Sequence, residues 1–149
     1  MPYLLLTAIT FMLDFFVKRS VDRKYARKVQ HSRWHGRIII EKYYNSGAAL
    51  NFLARKPKVM RILHTVIMVF VAVLYYFLLH MPGKCISKTG MSLLAGGGLS
   101  NLYDRYRKGY VVDYFRINAG PKRLRNIIFN ISDFFVFIGA VLAAAGSES

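Results

Sequence analysis

Residues 62–81 run for a full bilayer thickness without a Lys, Arg, Asp or Glu; His64 and His80 are their only strongly polar interruptions. At about 1.5 Å per residue such a helix spans the roughly 30 Å hydrocarbon core of a membrane. No other feature restricts the fold so strongly, and it does not stand alone. Pro2–Val17 is apolar apart from Asp14, and Lys18-Arg19 close it. A cleaved signal peptide would have a basic start and a small-residue cleavage site, and neither is present, so a first span is favoured. Ile86–Tyr103 carries only Lys88, placed to snorkel, before its last residues, and Ile127–Gly146 carries only Asp133. The chain therefore reads as a membrane all-α protein. It is expected to be one integral membrane domain over residues 1–149, a four-transmembrane-helix bundle with spans at about 2–17, 62–81, 86–103 and 127–146.

The connections are polar and of two kinds. Val21, Tyr25 and Val29 recur every four residues among basic neighbours. That pattern fits an amphipathic element lying on the membrane surface, and equally a solvated basic loop. Arg37–Tyr44 is rich in β-formers and is expected to form a strand or small hairpin, with Asn45-Ser46-Gly47 as a turn. Four spans place loops 18–61 and 104–126 at one membrane face.

The formal charge is +15, and 54% of the residues are hydrophobic. Basic proteins that bind nucleic acid rarely contain such apolar runs, so no nucleic-acid partner is expected. The Lys and Arg suit anionic lipid headgroups instead. A single cysteine, Cys85, excludes an internal disulfide and a Cys-based zinc site. His31 and His35 stand four apart without a partner motif, so no metal and no organic cofactor is expected. His64 and His80, near the ends of their span, read as interfacial.

Ionisable groups at membrane depth are functional candidates by default, and here they gather at one end of the bundle. Asp14 closes span one and stands one turn from Lys18 on the same helix face. Asn101, Asp104 and Arg105 close span three, whose Gly96-Gly97-Gly98 lets a neighbouring backbone come close. No Lys-Ser/Thr follows those glycines, which excludes a P-loop. Asp133 is expected within the first two turns of span four, about 9 Å deep. Asp113 lies in the apolar segment 110–115, expected to fold back on the bundle. Two carboxylates from different segments, Asp113 and Asp133, can share one proton and activate water.

Five short blocks, taken in order, resemble those of lipoprotein signal peptidases (signal peptidase II). They are Asp14-x-x-x-Lys18, Asn45-Ser-Gly-Ala-Ala49, Asn101-Leu-Tyr-Asp104-Arg105, Gly109-Tyr-Val-Val-Asp113-Tyr and Phe129-Asn130-Ile-Ser-Asp133. The resemblance covers nearly the whole chain. It implies a membrane aspartic endopeptidase with a small β-sheet cradle, cutting bacterial prolipoproteins before their diacylglyceryl-modified cysteine. Asp113 and Asp133 would be the catalytic pair. Asn101, Asp104, Arg105, Asn130, Asp14, Lys18, Asn45 and Gly97 would support them, with Asp14, Lys18 and Asn45 bracing the cradle and Arg105 pairing with Asp104. The expected partners are a lipid-modified prolipoprotein and anionic membrane lipids, with the chain a monomer in the bacterial cytoplasmic membrane. Four positions depart from the family pattern: Phe15 for glutamine, Leu50 for phenylalanine, Ser100 for glycine and Ser132 for alanine. They leave room for a divergent paralogue.

The alternative is a non-catalytic four-span protein that binds lipid or relays protons. A relay wants ionisable groups spread through the membrane depth, and spans two and three have no mid-depth carboxylate. Charge and resemblance disagree about orientation. Of the 22 Lys and Arg, 13 lie in residues 18–61 and 7 in 104–126, which by the positive-inside rule puts that face in the cytoplasm. The resemblance puts it, and the active site, outside.

Overall fold

The computed structural model describes residues 1–47 and 53–146, except for the side chains of Arg123 and Leu124. The expectations on Ala48, Ala49 and Leu50 lie outside the described residues. Four long helices, α1 (Pro2–Lys24), α2 (Pro57–His80), α3 (Cys85–Arg107) and α5 (Ile131–Ala145), carry a four-stranded antiparallel sheet. The strands are β1 (Gln30–Arg33), β2 (Ile38–Asn45), β3 (Val111–Ile117) and β4 (Ile128–Phe129), in the order β1-β2-β3-β4, and one short helix, α4 (Lys122–Arg125), precedes β4.

Helix α3 is the hub against which α1, α2 and α5 pack. Its small residues make this possible. A Cβ on Gly90 would come within 2.6 Å of the Gly139 carbonyl oxygen, and one on Gly97 within 2.8 Å of the Ser132 carbonyl oxygen. Backbones that close gain packing and polar contacts where hydrophobic burial offers little. A chain of hydroxyls adds to this, Thr7 to Tyr75 at 3.2 Å and Tyr75 to Ser92 at 2.8 Å, tying α1, α2 and α3 together.

The outward faces are apolar. Leu5, Ile9 and Phe16 on α1, Val66, Phe70 and Phe77 on α2, and Phe137 and Val141 on α5 are all exposed. Continuous exposed surfaces of this kind mark lipid or partner contact. Among the described residues α2 is the one helix long and apolar enough to cross a membrane by length and composition, and α5 is a shorter apolar helix. The mean hydropathy of α1 and α3 is lowered by Asp14, Lys18, Lys88, Asp104 and Arg105, all of which are buried inside the molecule.

Several expected boundaries move. Helix α1 does not stop at Val17 but runs to Lys24, because no Gly or Pro interrupts it. The expected surface-lying element over 19–34 is absent. Val21 instead belongs to the buried stripe of α1, packing with Val112 and Tyr114 beside Val17 and Tyr25, while Val29 lies beyond the helix and is exposed. The end of that segment pairs as β1 with β2, which makes the expected hairpin. Helix α2 starts five residues early, with Pro57 in its first turn where the missing N–H costs nothing. Span four does not begin as helix at 127: Ile128–Phe129 pair with β3, and α5 starts at Ile131. Asp133 is thus at the third position of α5, shallower than the roughly 9 Å expected. Lys88 does not reach water; it is buried and donates to the Met81 carbonyl at the end of α2, 2.6 Å away.

Candidate active site

The site forms where α3, the start of α5 and β3 meet. Strand β2 pairs with β3 through a bulge: Ile40 faces Phe115 and Tyr43 faces Asp113, so Glu41 and Lys42 together oppose Tyr114. This irregularity sets Asn45 and Asp113 side by side. Asn45 Nδ2 donates to Asp113 Oδ2 at 3.0 Å, while its Oδ1 accepts from the Gly47 N–H at 2.9 Å.

Asp133 is positioned by the way α5 begins. A helix start leaves backbone N–H groups without partners, and here each is met by a named group. Asn130 and Asp133 form a capping box: Asn130 Oδ1 accepts from the Asp133 N–H at 3.1 Å, and Asp133 Oδ2 from the Asn130 N–H at 2.9 Å. The Ile131 N–H donates to the Tyr114 hydroxyl at 3.1 Å, and the Ser132 N–H to Asp14 Oδ1 at 3.2 Å. The first turn of α5 is therefore held by β3 and α1 together.

One residue joins the two carboxylates. Asn130, almost fully buried, caps Asp133 with its oxygen and donates from Nδ2 to Asp113 Oδ1 at 2.7 Å. Asn101 Nδ2 donates to Asp133 Oδ1 at 3.3 Å, and Asn101 Oδ1 accepts from Asn130 at 3.3 Å and from Lys18 Nζ at 2.6 Å. Burial first, and the Asp133 carboxylate second, push the Asp113 carboxyl up to about 7, against hydrogen bonds from Asn45 and Asn130 that oppose the rise. Both aspartates, with Asn45, Asn101, Arg105 and Asn130, line a cavity of about 240 Å³. Asp113 is 3% exposed, whereas Asp133 is half-buried on the wall.

Behind this pair lies a buried charge cluster. Lys18, 1% exposed, bonds Asp14 Oδ2 at 2.6 Å and lies 3.6 Å from Asp104 Oδ2. Ser100 Oγ donates to the same Asp14 oxygen at 2.5 Å. Asp104 also accepts from the Val112 N–H at 3.3 Å and pairs with Lys108 at 3.1 Å, which locks the start of β3 to α3. The expected Asp104–Arg105 pair does not form. These neighbours leave a helix on different sides, and Arg105 reaches instead to the Ser46 and Gly47 carbonyls at 3.4 and 2.5 Å. Gly97 contributes through contact alone, as one of the points where α5 touches α3.

All ten sequence-selected residues thus lie in one connected region, but one has a different role and two further groups were missed. Asn45 bonds Asp113 directly rather than bracing the cradle at a distance. Tyr114 supports the start of α5, a role no spacing rule exposes. His64 lines a second cavity of about 410 Å³ between α2, α3 and α5 that also reaches Asn101 and Asp133. Its signal was a lone histidine in an apolar run, read as interfacial.

A fold of four helices carrying a small sheet is shared with a solved bacterial membrane enzyme, with a TM-score of 0.84 and 21% identity over 99% of this chain and 87% of that one. A family model described as signal peptidase (SPase) II matches residues 6–147. The chain belongs to the signal peptidase II family, and is accordingly a membrane protease. A lipoprotein signal peptidase from Halothermothrix orenii is 35% identical over 136 residues, covering 90% of this chain and 86% of its own. One from Lactiplantibacillus plantarum is 28% identical over 144 residues, covering 97% and 92%.

Proposed function

We propose that this chain is an aspartic endopeptidase that removes the signal peptide from bacterial prolipoproteins, cutting before the diacylglyceryl-modified cysteine. The observation that carries this reading is Asn130, which holds Asp113 and Asp133 from two different elements at the wall of one cavity. Like charges so placed do not both ionise readily, so the pair keeps one proton. The ionised carboxylate takes a proton from a water whose oxygen bonds to the scissile carbonyl carbon. The protonated carboxyl gives its proton to the carbonyl oxygen, forming a gem-diol. A proton then passes to the leaving nitrogen as the C–N bond breaks. Asn101 and Asn130 hold the carboxylates, Asn45 orients Asp113, and Arg105 fixes the turn at 46–47. The proton-relay alternative gains nothing, because the buried carboxylates cluster beside the sheet and Lys88 is the one charged group among the described residues that is buried at the far end of α3. The test is release of signal peptide from a diacylglyceryl-modified prolipoprotein by the purified protein in lipid. Cleavage before the modified cysteine is expected; an intact substrate would overturn the reading.

The proposal includes the membrane setting. The four long helices cross the bacterial cytoplasmic membrane as one integral domain, and the working unit is the monomer. Pairing of β2 with β3 supports a common face for the loops that hold them. A cleft lined by Phe15, Arg19, Asp22, Arg23, Tyr103, Asp104, Arg107 and Lys108 suits an anionic headgroup, because its two carboxylates are paired with Lys42 and Lys108 while Arg19, Arg23 and Arg107 have no carboxylate partner among the described residues.

The active-site face is placed outside, against the positive-inside rule, because signal peptides of lipidated precursors are exposed there. Cys85, exposed at the start of α3 and the only thiol, reports on this. In intact cells a membrane-impermeant maleimide leaves Cys85 unlabelled, and it labels after permeabilisation. Ready labelling of intact cells would mean the inverted orientation.

A further inference from the structure

Arg19, Arg23 and Arg107 stand exposed around one cleft of about 320 Å³ between α1 and α3, and none is paired among the described residues. The two carboxylates on the cleft wall are held by other groups. Asp22 bonds Lys42 and the Tyr44 hydroxyl, and Asp104 bonds Lys108 and the Val112 N–H beside Lys18. Arg19 and Arg23 are also one turn apart on the same helix face, a like-charge spacing that costs stability until an anion screens it. Three guanidinium groups are thus gathered with no anion of the chain's own to meet them.

The polarity along the groove indicates which anion fits. Thr10 meets Gly96, Asp14 meets Ser100 and Lys18 meets Asp104, so α1 and α3 run parallel. Phe15 meets Tyr103 edge-on at 5.6 Å, and Phe11 meets the same ring at 6.0 Å. One turn beyond Phe15 and Tyr103, about 6 Å along, stand Arg19 and Arg107. One turn before Tyr103, Leu99 is exposed, as is Phe16 beside Phe15. The groove therefore passes from guanidinium through an aromatic collar to bare hydrocarbon, the polarity of a phospholipid. Arginine grips phosphate in a bidentate fork, and aromatic side chains settle at headgroup level. A free phosphate ion would use only the first part. The cleft shares no residue with the two cavities that reach the aspartates, so its occupant is not the substrate.

We propose that this groove holds one anionic phospholipid of the surrounding membrane, its phosphate bridging α1 and α3 through Arg19, Arg23 and Arg107. The inference rests on the membrane setting proposed above and not on the cleavage chemistry. Asp104 forms part of the groove wall and lies 3.6 Å from Lys18, so the lipid covers the exposed side of the helix pairing that encloses Lys18.

The experiment reads lipid retention rather than cleavage. Full-length protein in bilayer discs of mixed phosphatidylglycerol and phosphatidylcholine is examined by native mass spectrometry. Wild type keeps phosphatidylglycerol in preference to phosphatidylcholine. Arg19→Gln on α1 and Arg107→Gln on α3 each weaken that retention. The triple variant Arg19→Gln/Arg23→Gln/Arg107→Gln weakens it about 10-fold or more, the scale of a lost charged hydrogen bond. Arg33→Gln/Lys58→Gln/Lys122→Gln removes as much charge at exposed positions outside the groove. It changes retention by about 2-fold at most, because those charges act only through a screened field. Equal retention of both lipids, equal loss in the two triple variants, an effect confined to one helix, or displacement of the lipid by inorganic phosphate overturns the assignment. Cleavage by wild type in those cases leaves the peptidase reading standing. A wild type that keeps the lipid but cuts nothing overturns that reading and leaves the lipid site, whereas a chain that does not enter the bilayer overturns both.

Discussion

Asp113→Asn and Asp133→Asn each reduce turnover by about 10³-fold or more, at the upper end of what one positioned proton-transfer group supplies. The two carboxylates have different neighbours but, in the proposed mechanism, one task. Asparagine preserves the shape at either position and still fills the hydrogen-bonding space near Asn45, Asn101 and Asn130, so folding survives. What it removes is the ability to take or give a proton. Because the pair acts as a unit, the double variant is scarcely slower than either single one. Single-turnover assays on the purified variants decide this. Multiplicative losses would mean that the two aspartates act in separate steps, and substantial turnover by either single variant would remove that residue from the chemistry.

Lys18→Met has the largest expected effect on stability. Lys18 is enclosed, and its ammonium meets Asp14, Asn101 and, farther off, Asp104. Methionine fits the volume but leaves Asp14 as a buried charge held only by Ser100 and the Ser132 N–H. Breaking a buried pair from one side costs about 3–5 kcal/mol. Thermal unfolding in lipid or detergent should show this as a large loss. Asp14→Asn added to Lys18→Met should recover more than half of it, since no charge is then stranded. Equal loss in single and double variants would show that packing, not charge pairing, holds this region. The consequence for the site is direct, because Asp14 holds the first turn of α5 and Lys18 orients Asn101.

The helices were legible because their apolar length is a property of local sequence. Their ends were less so. Val17, Val21 and Tyr25 have the spacing of an amphipathic helix whether the apolar stripe meets a membrane or a sheet, and only β3, distant in sequence, decides between them. The start of α5 was readable in principle: Asn130-Ile-Ser-Asp133 has the spacing of a capping box, a stronger signal than the apolar residues before it. The membership of the site was visible because charged residues stand out against an apolar background. Their bonds were not. Arg105 faces backbone carbonyls of the β2 turn, and Asn45 reaches Asp113 across a bulge, neither of which local spacing encodes.

The central claim is that Asp113 and Asp133 share one proton in the active enzyme. The pH profile of kcat/KM on a lipidated substrate addresses it most directly, since it reports the ionisations of the free enzyme. With the Asp113 carboxyl raised to about 7 by burial and by its neighbour, the pair holds its single proton up to that pH. Above it the proton donor is lost, and the rate falls through a basic limb centred near 7, then declines further with pH. A profile that stays flat or rises through pH 9 would contradict a dyad with a shared proton.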